Sequence, residues 1–381
     1  MDQETRGHLL STFRDILITT QQTNKDRIEL IDELAKNRIL SKEDFVLLLD
    51  DNNESTLNYL REIARRISKE NFGNSVYLRG LIEYSNYCVK DCYYCGLRYS
   101  NENLIRYRMS KSEIMECCDR GYLAGLRTFV IQGGEDERIK DSSICLLISE
   151  IKDKYKDCAV TLSLGEKSRK SYEAFYNAGA DRYLLRHETA TEEHYRSLHP
   201  KYQTLSNRVK CLYDLKEIGY QIGAGFMVGT PAQTSYNIAN DFYFLHEINP
   251  HMIGIGPFIH NRNTPFGKEP DGSVVMTLKC LSILRIMFPN VLIPATTALE
   301  TSSEHGYELG IMAGANVIMP NISPLKAKIN YRIYEKKYVK DVNINKDIDI
   351  DSKCREINDR LKRIGYKSNK SRGDYFDWRR K

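Results

Sequence analysis

Three features of this 381-residue chain predict an α/β fold: a complete (β/α)8 TIM-type barrel with a helical extension before it and a short helical tail after it. From Val76 onward, short β-rich runs alternate with amphipathic helical stretches, the order that specifies a parallel sheet with crossovers. The runs number eight, the count for a full barrel. Polar and glycine-rich segments follow the runs at what becomes one rim, where barrels of this kind carry their chemistry.

Residues 1–72 form the predicted extension. Arg27–Lys36, Ser41–Leu49 and Leu57–Ser68 place apolar residues at steps of three and four, with Ser41 (backed by Asp44) and Ser55 as expected N-caps. The barrel is assigned to residues 73–335. Its expected strands are Val76–Tyr84, Thr128–Gln132, Val160–Leu164, Arg182–Arg186, Gln221–Met227, Met252–Pro257, Val291–Pro294 and Asn316–Met319. Between them, helices are expected near Lys111–Leu123, Ser142–Lys154, Arg169–Ala178, Leu205–Ile218, Ser235–Ile248, Met276–Phe288 and Ser302–Ala313. Residues 336–381 are read as a basic tail with one helix near Lys353–Ile364, its end from Lys367 onward polar and loosely ordered.

The net charge of +5 is uneven. Residues 326–381 hold eighteen Lys and Arg against nine Asp and Glu, a net of +9, which leaves the first 325 residues at −4. A basic end of this kind is read as a solvated tail, and no nucleic-acid partner is expected. No run of eighteen apolar residues predicts a membrane span, and Met1–Arg14 lacks the apolar core of a secretory signal, so a cytoplasmic protein is expected. In such a compartment ten cysteines argue for thiols and metal ligation rather than a disulfide framework. Cys117, Cys118, Cys145, Cys158, Cys211 and Cys280 fall in or beside helices and strands, and most of them are read as small buried hydrophobes.

The remaining triplet is different. Cys88, Cys92 and Cys95 stand in a C-x3-C-x2-C loop after the first strand, and cysteine thiolates packed this closely are usual holders of iron-sulfur clusters. No fourth cysteine follows within twenty residues, so one iron of a cubane is left for a ligand that is not protein. The alternative, a zinc knuckle, ordinarily closes with a fourth Cys or His, and no His is near. Tyr94, just before the last cysteine, is an aromatic in a loop, a position where packing is the ordinary reading.

Other strand ends supply matching chemistry. In Gln132-Gly133-Gly134-Glu135, glycine allows close backbone approach and the carboxylate can accept from an ammonium. The run Asp181–Thr189 combines Arg182 and Arg186, suited to a carboxylate, with Glu188, suited to an ammonium; a structural ion-pair network would use the same residue types. Arg208 opens the next helix at the same rim, and His187 is read as a satisfied donor behind the site.

The cysteine loop resembles that of the radical S-adenosylmethionine (SAM) superfamily, in which the open iron chelates the amino and carboxylate groups of SAM. Longer stretches resemble one family within it, the FeFe-hydrogenase maturase HydE family. These are Arg79–Cys88, Leu104–Met109, Thr161–Glu166, Tyr183–Thr189, Gly254–Ile259, Ile293–Ala298 and Ala315–Asn321. The resemblance implies one 4Fe-4S cluster on Cys88, Cys92 and Cys95, and SAM on its open iron. It also implies a SAM or substrate cavity lined by Tyr94, Gln132, Gly134, Glu135, Thr161, Arg182, Arg186, Glu188, Arg208, Met252 and Tyr331, with Thr296 and Thr297 at an anion-binding far end. The implied substrate is a small organometallic iron species carrying CO, cyanide and cysteine. Implied partners are the other hydrogenase maturases and a reductant such as ferredoxin or flavodoxin; in a hydrogen-producing eukaryote the setting would be an organelle matrix. Related radical SAM enzymes, methylornithine synthase and biotin synthase, are the alternatives, and an iron-sulfur scaffold or carrier is the non-enzymatic one. Some members of the family carry a second cluster on C-terminal cysteines, but only Cys354 lies in that region here.

Overall fold

A computed structural model describes residues 26–335 and 349–380. The first 25 residues of the predicted extension, residues 336–348 of the basic tail and Lys381 lie outside the described residues.

Helices at 26–37, Lys42–Asp50 and Glu54–Phe72 form the extension. Ser41 caps its helix as expected, accepting from the Asp44 N–H. The third helix starts earlier than Ser55 suggests: Asn53 takes the extended capping conformation, and its side chain accepts from the Ser55 N–H at 3.0 Å. Gly73, at φ +59°, ends that helix and turns the chain into the barrel.

The extension is tied to the barrel by Lys279, which lies on the helix Val274–Met287 and is only 2% exposed. Its ammonium donates to the carbonyls of Leu49 and Asp51, the last turn of Lys42–Asp50, where a cation also meets the negative end of the helix dipole. Lys279→Met keeps the stem and leaves both carbonyls without their donor. It is expected to lower unfolding stability by about 1–3 kcal/mol, read as a lower urea midpoint. An unchanged midpoint would mean that the tie does not hold the extension in place.

The barrel strands fall where the pattern predicts, with three of them broken. The first is β1 (Ser75–Leu78) and β2 (Gly80–Ser85), followed by β3 (Thr128–Gly133), β4 (Ala159–Ser163) and β5 (Arg182–Leu184). The fifth is β6 (Gln221–Ala224) and β7 (Met227–Val228), and the sixth is β8 (Met252–Ile253) and β9 (Gly256–Pro257). Then come β10 (Pro294–Ala295) and β11 (Val317–Ile318). The break after β6 has a steric reason: Gly225, at φ +151°, passes so close to Gly254 that a Cβ would lie 2.0 Å from the Gly254 carbonyl oxygen. All these ladders are parallel, in the order β2-β3-β4-β5-β6-β8, with β10-β11-β1 on the other side. Bridges Met252↔Leu292 and Leu81↔Asn321 join the two runs, so the hydrogen-bonded circuit returns to its start.

The C-terminal end departs from expectation. After the helix Ile350–Arg363, β12 (Lys367–Asn369) pairs in parallel with β1, and the chain then crosses the N-terminal ends of the barrel strands. The Arg372 carbonyl accepts from Thr128 and Arg182, and the Gly373 carbonyl from Arg79. Asp374 meets Arg182 at 2.5 Å and Gln221 at 2.8 Å, and the Trp378 indole donates to the Gly219 carbonyl. A polar composition suggests a solvated end, but here the Arg372 and Gly373 carbonyls, Asp374 and Trp378 are each paired with groups on the barrel floor.

Candidate active site

The cysteine loop leaves β2 and is stapled by the run that follows it. Asn86 donates to the carbonyls of Ile105 and Asn330 and accepts from the Tyr107 N–H, all at 2.8 Å. Arg106 donates to the carbonyls of Asn86, Leu97 and Arg98. Asp91 is held by Arg98 and Ser100; the hydrogen bond from Arg98 leads in pulling its carboxyl down to about 2. Gly96 admits no side chain, since a Cβ would lie 2.0 Å from the Arg332 carbonyl oxygen.

Cys88, Cys92 and Cys95 all open on one cavity of about 370 Å³. The Cys88 sulfur accepts from the Glu135 N–H at 3.4 Å, and the Cys92 thiol meets the Gln203 side chain at 3.2 Å. Among the described residues no three Cys, His, Asp or Glu side chains converge on one point, as a single zinc ion requires. In a cubane each iron takes its own thiolate, so the three sulfurs need only face one another across the cluster. The Tyr94 hydroxyl donates to His199 Nε2 at 3.2 Å, because the other ring nitrogen of His199 donates to the Tyr195 carbonyl. Burial pulls the His199 pKa down to about 3, which keeps it neutral and able to accept.

The same cavity is lined by Gln132, Gly134, Glu135, Arg186, Glu188, Arg208, Met252, Tyr331, Thr296 and Thr297. Their availability differs. A Cβ on Gly134 would lie 2.3 Å from the Tyr87 carbonyl oxygen, so this glycine seats the cysteine loop itself. Glu135 is already engaged, accepting from the Glu166 N–H at 2.9 Å and facing Lys90 at 3.6 Å. Arg208 bonds Glu166 at 2.7 Å and the Arg186 carbonyl at 2.8 Å. Burial pushes the Glu166 carboxyl up, but Arg208 and Lys90 outweigh it and leave it at about 2. Gln132 and Tyr331 meet at 3.4 Å, and Met252 sulfur accepts from Arg79 at 3.0 Å. Thr296 caps the short helix Thr297–Ser302, which uses its oxygen as an acceptor. Two of the charged residues named here remain uncommitted: no described residue ion-pairs with Arg186, and Glu188 Oε2 is buried without a partner.

Thr161 and Arg182 do not reach this cavity. Thr161 is fully buried on β4, two residues before Ser163, which does line it, so strand alternation puts Thr161 one layer lower. Arg182 is the first residue of β5, 1% exposed, with its guanidinium spent on Thr128, the Arg372 carbonyl and Asp374 at the floor. His187 is buried behind the site, as expected. Sequence reasoning assigned no role to Lys90 or Tyr334, which both line the cavity. Lys90 had a usable signal, a cation inside the cysteine loop; Tyr334 had none. Cys354 is buried, and its thiol is pushed up to about 11 by burial.

Residues 82–239 match the family model of the Radical SAM superfamily. The chain is 43% identical over 309 residues to the FeFe hydrogenase maturase subunit HydE of Thermotoga maritima, covering 81% of this chain and 88% of that one. It is 28% identical over 330 residues to 3-methylornithine synthase of Methanosarcina acetivorans, covering 85% and 88%. Among solved structures, methylornithine synthase (PylB) superposes with a TM-score of 0.77 at 27% identity, covering 89% of this chain and 97% of that one. The hydrogenase maturase HydG superposes at 0.69 with 23% identity, covering 81% and 71%, a likeness of fold. A parallel α/β barrel with a three-cysteine loop at its strand-end cavity defines a radical SAM enzyme, a class that uses a 4Fe-4S cluster and SAM. Within that class, at this level of identity and coverage, the chain belongs to the HydE family of hydrogenase maturases. No helix among the described residues is long and apolar enough to cross a membrane.

Proposed function

We propose that this chain is a cytoplasmic maturase. It cleaves SAM reductively and directs the resulting radical at a small organometallic iron precursor carrying CO, cyanide and cysteine, during assembly of the FeFe-hydrogenase centre. The observation that carries the reading is the convergence on one cavity of Cys88, Cys92 and Cys95 with two groups left uncommitted, Arg186 and Glu188. The donor set fits the cofactors: three thiols leave one iron open, Glu188 can accept from the SAM ammonium, and Arg186 can meet its carboxylate. When bound, the reduced cluster supplies the electron that splits SAM into methionine and a 5'-deoxyadenosyl radical.

Around it the chain's own residues hold and shield. Glu135, Lys90, Glu166 and Arg208 form a continuous chain of ion pairs that stiffens the rim. Met252 and Phe258 give the cavity apolar wall, which excludes water from a reactive radical. Thr296 and Thr297 are assigned to the anionic end of the substrate. The reductant is a small one-electron protein of the ferredoxin or flavodoxin kind, and the other maturases deliver and receive the iron species. The 43% identity to the Thermotoga protein favours this reading over a methylornithine synthase or biotin synthase activity.

The test is anaerobic reconstitution followed by dithionite and SAM, with 5'-deoxyadenosine as the expected product. An intact cluster with no product would remove the enzymatic reading and leave a scaffold or carrier. Supplying the gene to a hydrogen-producing host lacking its own maturase of this family is expected to restore hydrogenase activity. Product formation without that rescue would keep the radical SAM chemistry and move the substrate elsewhere.

A further inference from the structure

Of the residues lining the cavity, Glu188 is the one non-glycine with a positive φ, +68°. A residue with a side chain stays in this region only when its surroundings impose it. The surroundings here are specific. Glu188 N–H donates to the Gly225 carbonyl at 3.0 Å, and the Met227 N–H reaches the Glu188 carbonyl at 3.4 Å. One residue earlier, His187 is fully buried, and its Nδ1 accepts from the Gly225 N–H at 3.3 Å. That leaves Nε2 to donate to Asp241 Oδ1 at 3.2 Å. The same Asp241 oxygen accepts from the Ala190 N–H. Asp241 lies on the helix Ser235–Ile248 behind the barrel wall and is also fully buried. One carboxylate therefore ties the chain on both sides of Glu188.

Packing alone does not call for this arrangement. A buried carboxylate facing a histidine, with its second oxygen unpartnered, is costly, and apolar residues of the same volume would fill the space with less penalty. What the polar pair adds is direction: it keeps residues 187–190 in one conformation, and that conformation places Glu188 among the residues that line the cavity.

We infer that Asp241 and His187 are positioning residues, which lock Glu188 in its left-handed conformation so that its carboxylate meets the ammonium group of bound SAM. The inference rests on the reading of Glu188 as a SAM contact, and the experiment separates the two. In reconstituted, reduced holoenzyme, SAM affinity is measured by titration of the cluster's electron paramagnetic resonance signal, beside the thermal midpoint and iron content. Glu188→Gln is expected to weaken SAM binding about tenfold, the weight of one charge-assisted hydrogen bond. Asp241→Leu is expected to weaken it comparably. Asp241→Asn keeps an acceptor oxygen for His187 and Ala190 and is expected to stay within about threefold of the parent, under 1 kcal/mol. In the Asp241→Leu, Glu188→Gln double variant the loss should be no greater than that of Glu188→Gln alone.

Losses that multiply in the double variant, or an Asp241→Leu protein that binds SAM normally while Glu188→Gln does not, would overturn the positioning role and leave Glu188 as a SAM contact. Normal SAM binding by Glu188→Gln would remove the contact and the positioning role together. Should Asp241→Leu fail to fold or load its cluster, His187→Asn carries the same comparison. It keeps an acceptor toward Gly225 and breaks the tie to Asp241, and its loss should likewise vanish in the Glu188→Gln background.

Discussion

Cys92→Ala is expected to reduce 5'-deoxyadenosine formation by at least about a thousandfold, roughly 4 kcal/mol of barrier, because the group that carries the reaction is no longer held. The cavity offers three thiols and no fourth, and Glu135, the carboxylate whose N–H meets the Cys88 sulfur, is already paired with Lys90. Losing one thiol leaves a second iron open and the cluster labile. Iron and sulfide per chain should fall together with activity, and Cys88 and Cys95 should behave alike. The control is Cys354→Ser, whose thiol is buried on the inner face of the helix Ile350–Arg363, away from the cavity. It should keep the full iron complement and full SAM cleavage, and a drop in iron would point to a second cluster site. Cys92→Ser keeps the shape of the loop; if it retained parental iron and turnover, the cluster would not be held at this triplet.

Much of the fold was legible because each barrel strand carries its own pattern. Runs such as Thr128–Gly133 and Ala159–Ser163 are apolar and β-branched through their middle and end in polar residues at the cavity rim. The strand breaks were harder to see. The one at Gly225 depends on contact with Gly254, a residue on the next strand, and sequence order gives no sign of it. The site was legible for similar reasons at the strand ends: Gln132, Arg186 and Glu188 all stand just past or at the last residues of their strands. Arg182 misled because it shares a nine-residue run with Arg186. At about 3.3 Å per extended residue, four residues separate them by roughly 13 Å, which is the difference between floor and rim. Thr161 shows the same effect over two residues. Lys90 acquires its importance from Glu135 and Glu166, which two different strand ends bring to it.

The second large effect lies at the floor. Asp374→Ala is expected to lower unfolding stability by about 2–4 kcal/mol, which for a chain of this size is several degrees in Tm. Arg182 is 1% exposed and Asp374 is its carboxylate partner, so truncation leaves a buried guanidinium with only Thr128 and the Arg372 carbonyl. Gln221 loses an acceptor as well. Asp374→Asn keeps the hydrogen-bond geometry without the charge and should cost about half as much. The pH dependence has a definite sign. Burial alone would push the Asp374 carboxyl up, but Arg182, Arg372 and Gln221 together hold it below its ordinary value. A carboxyl depressed in the folded state contributes stability that is fully present above about pH 4 and is lost as pH falls through the lower folded value. The stability gap between parent and Asp374→Ala should therefore be constant near neutrality and narrow in acid. A gap that widened in acid, or no gap at pH 7, would rule out the ion pair as the fastening. The floor also reaches the cavity: Arg79 donates one amino group to the Gly373 carbonyl and the other to Met252 sulfur on the cavity wall. Deleting residues 367–381 removes the first of these bonds and frees Arg79 to move, so the deletion should perturb SAM affinity as well as stability, whereas Asp374→Asn, which leaves Gly373 in place, should perturb stability alone.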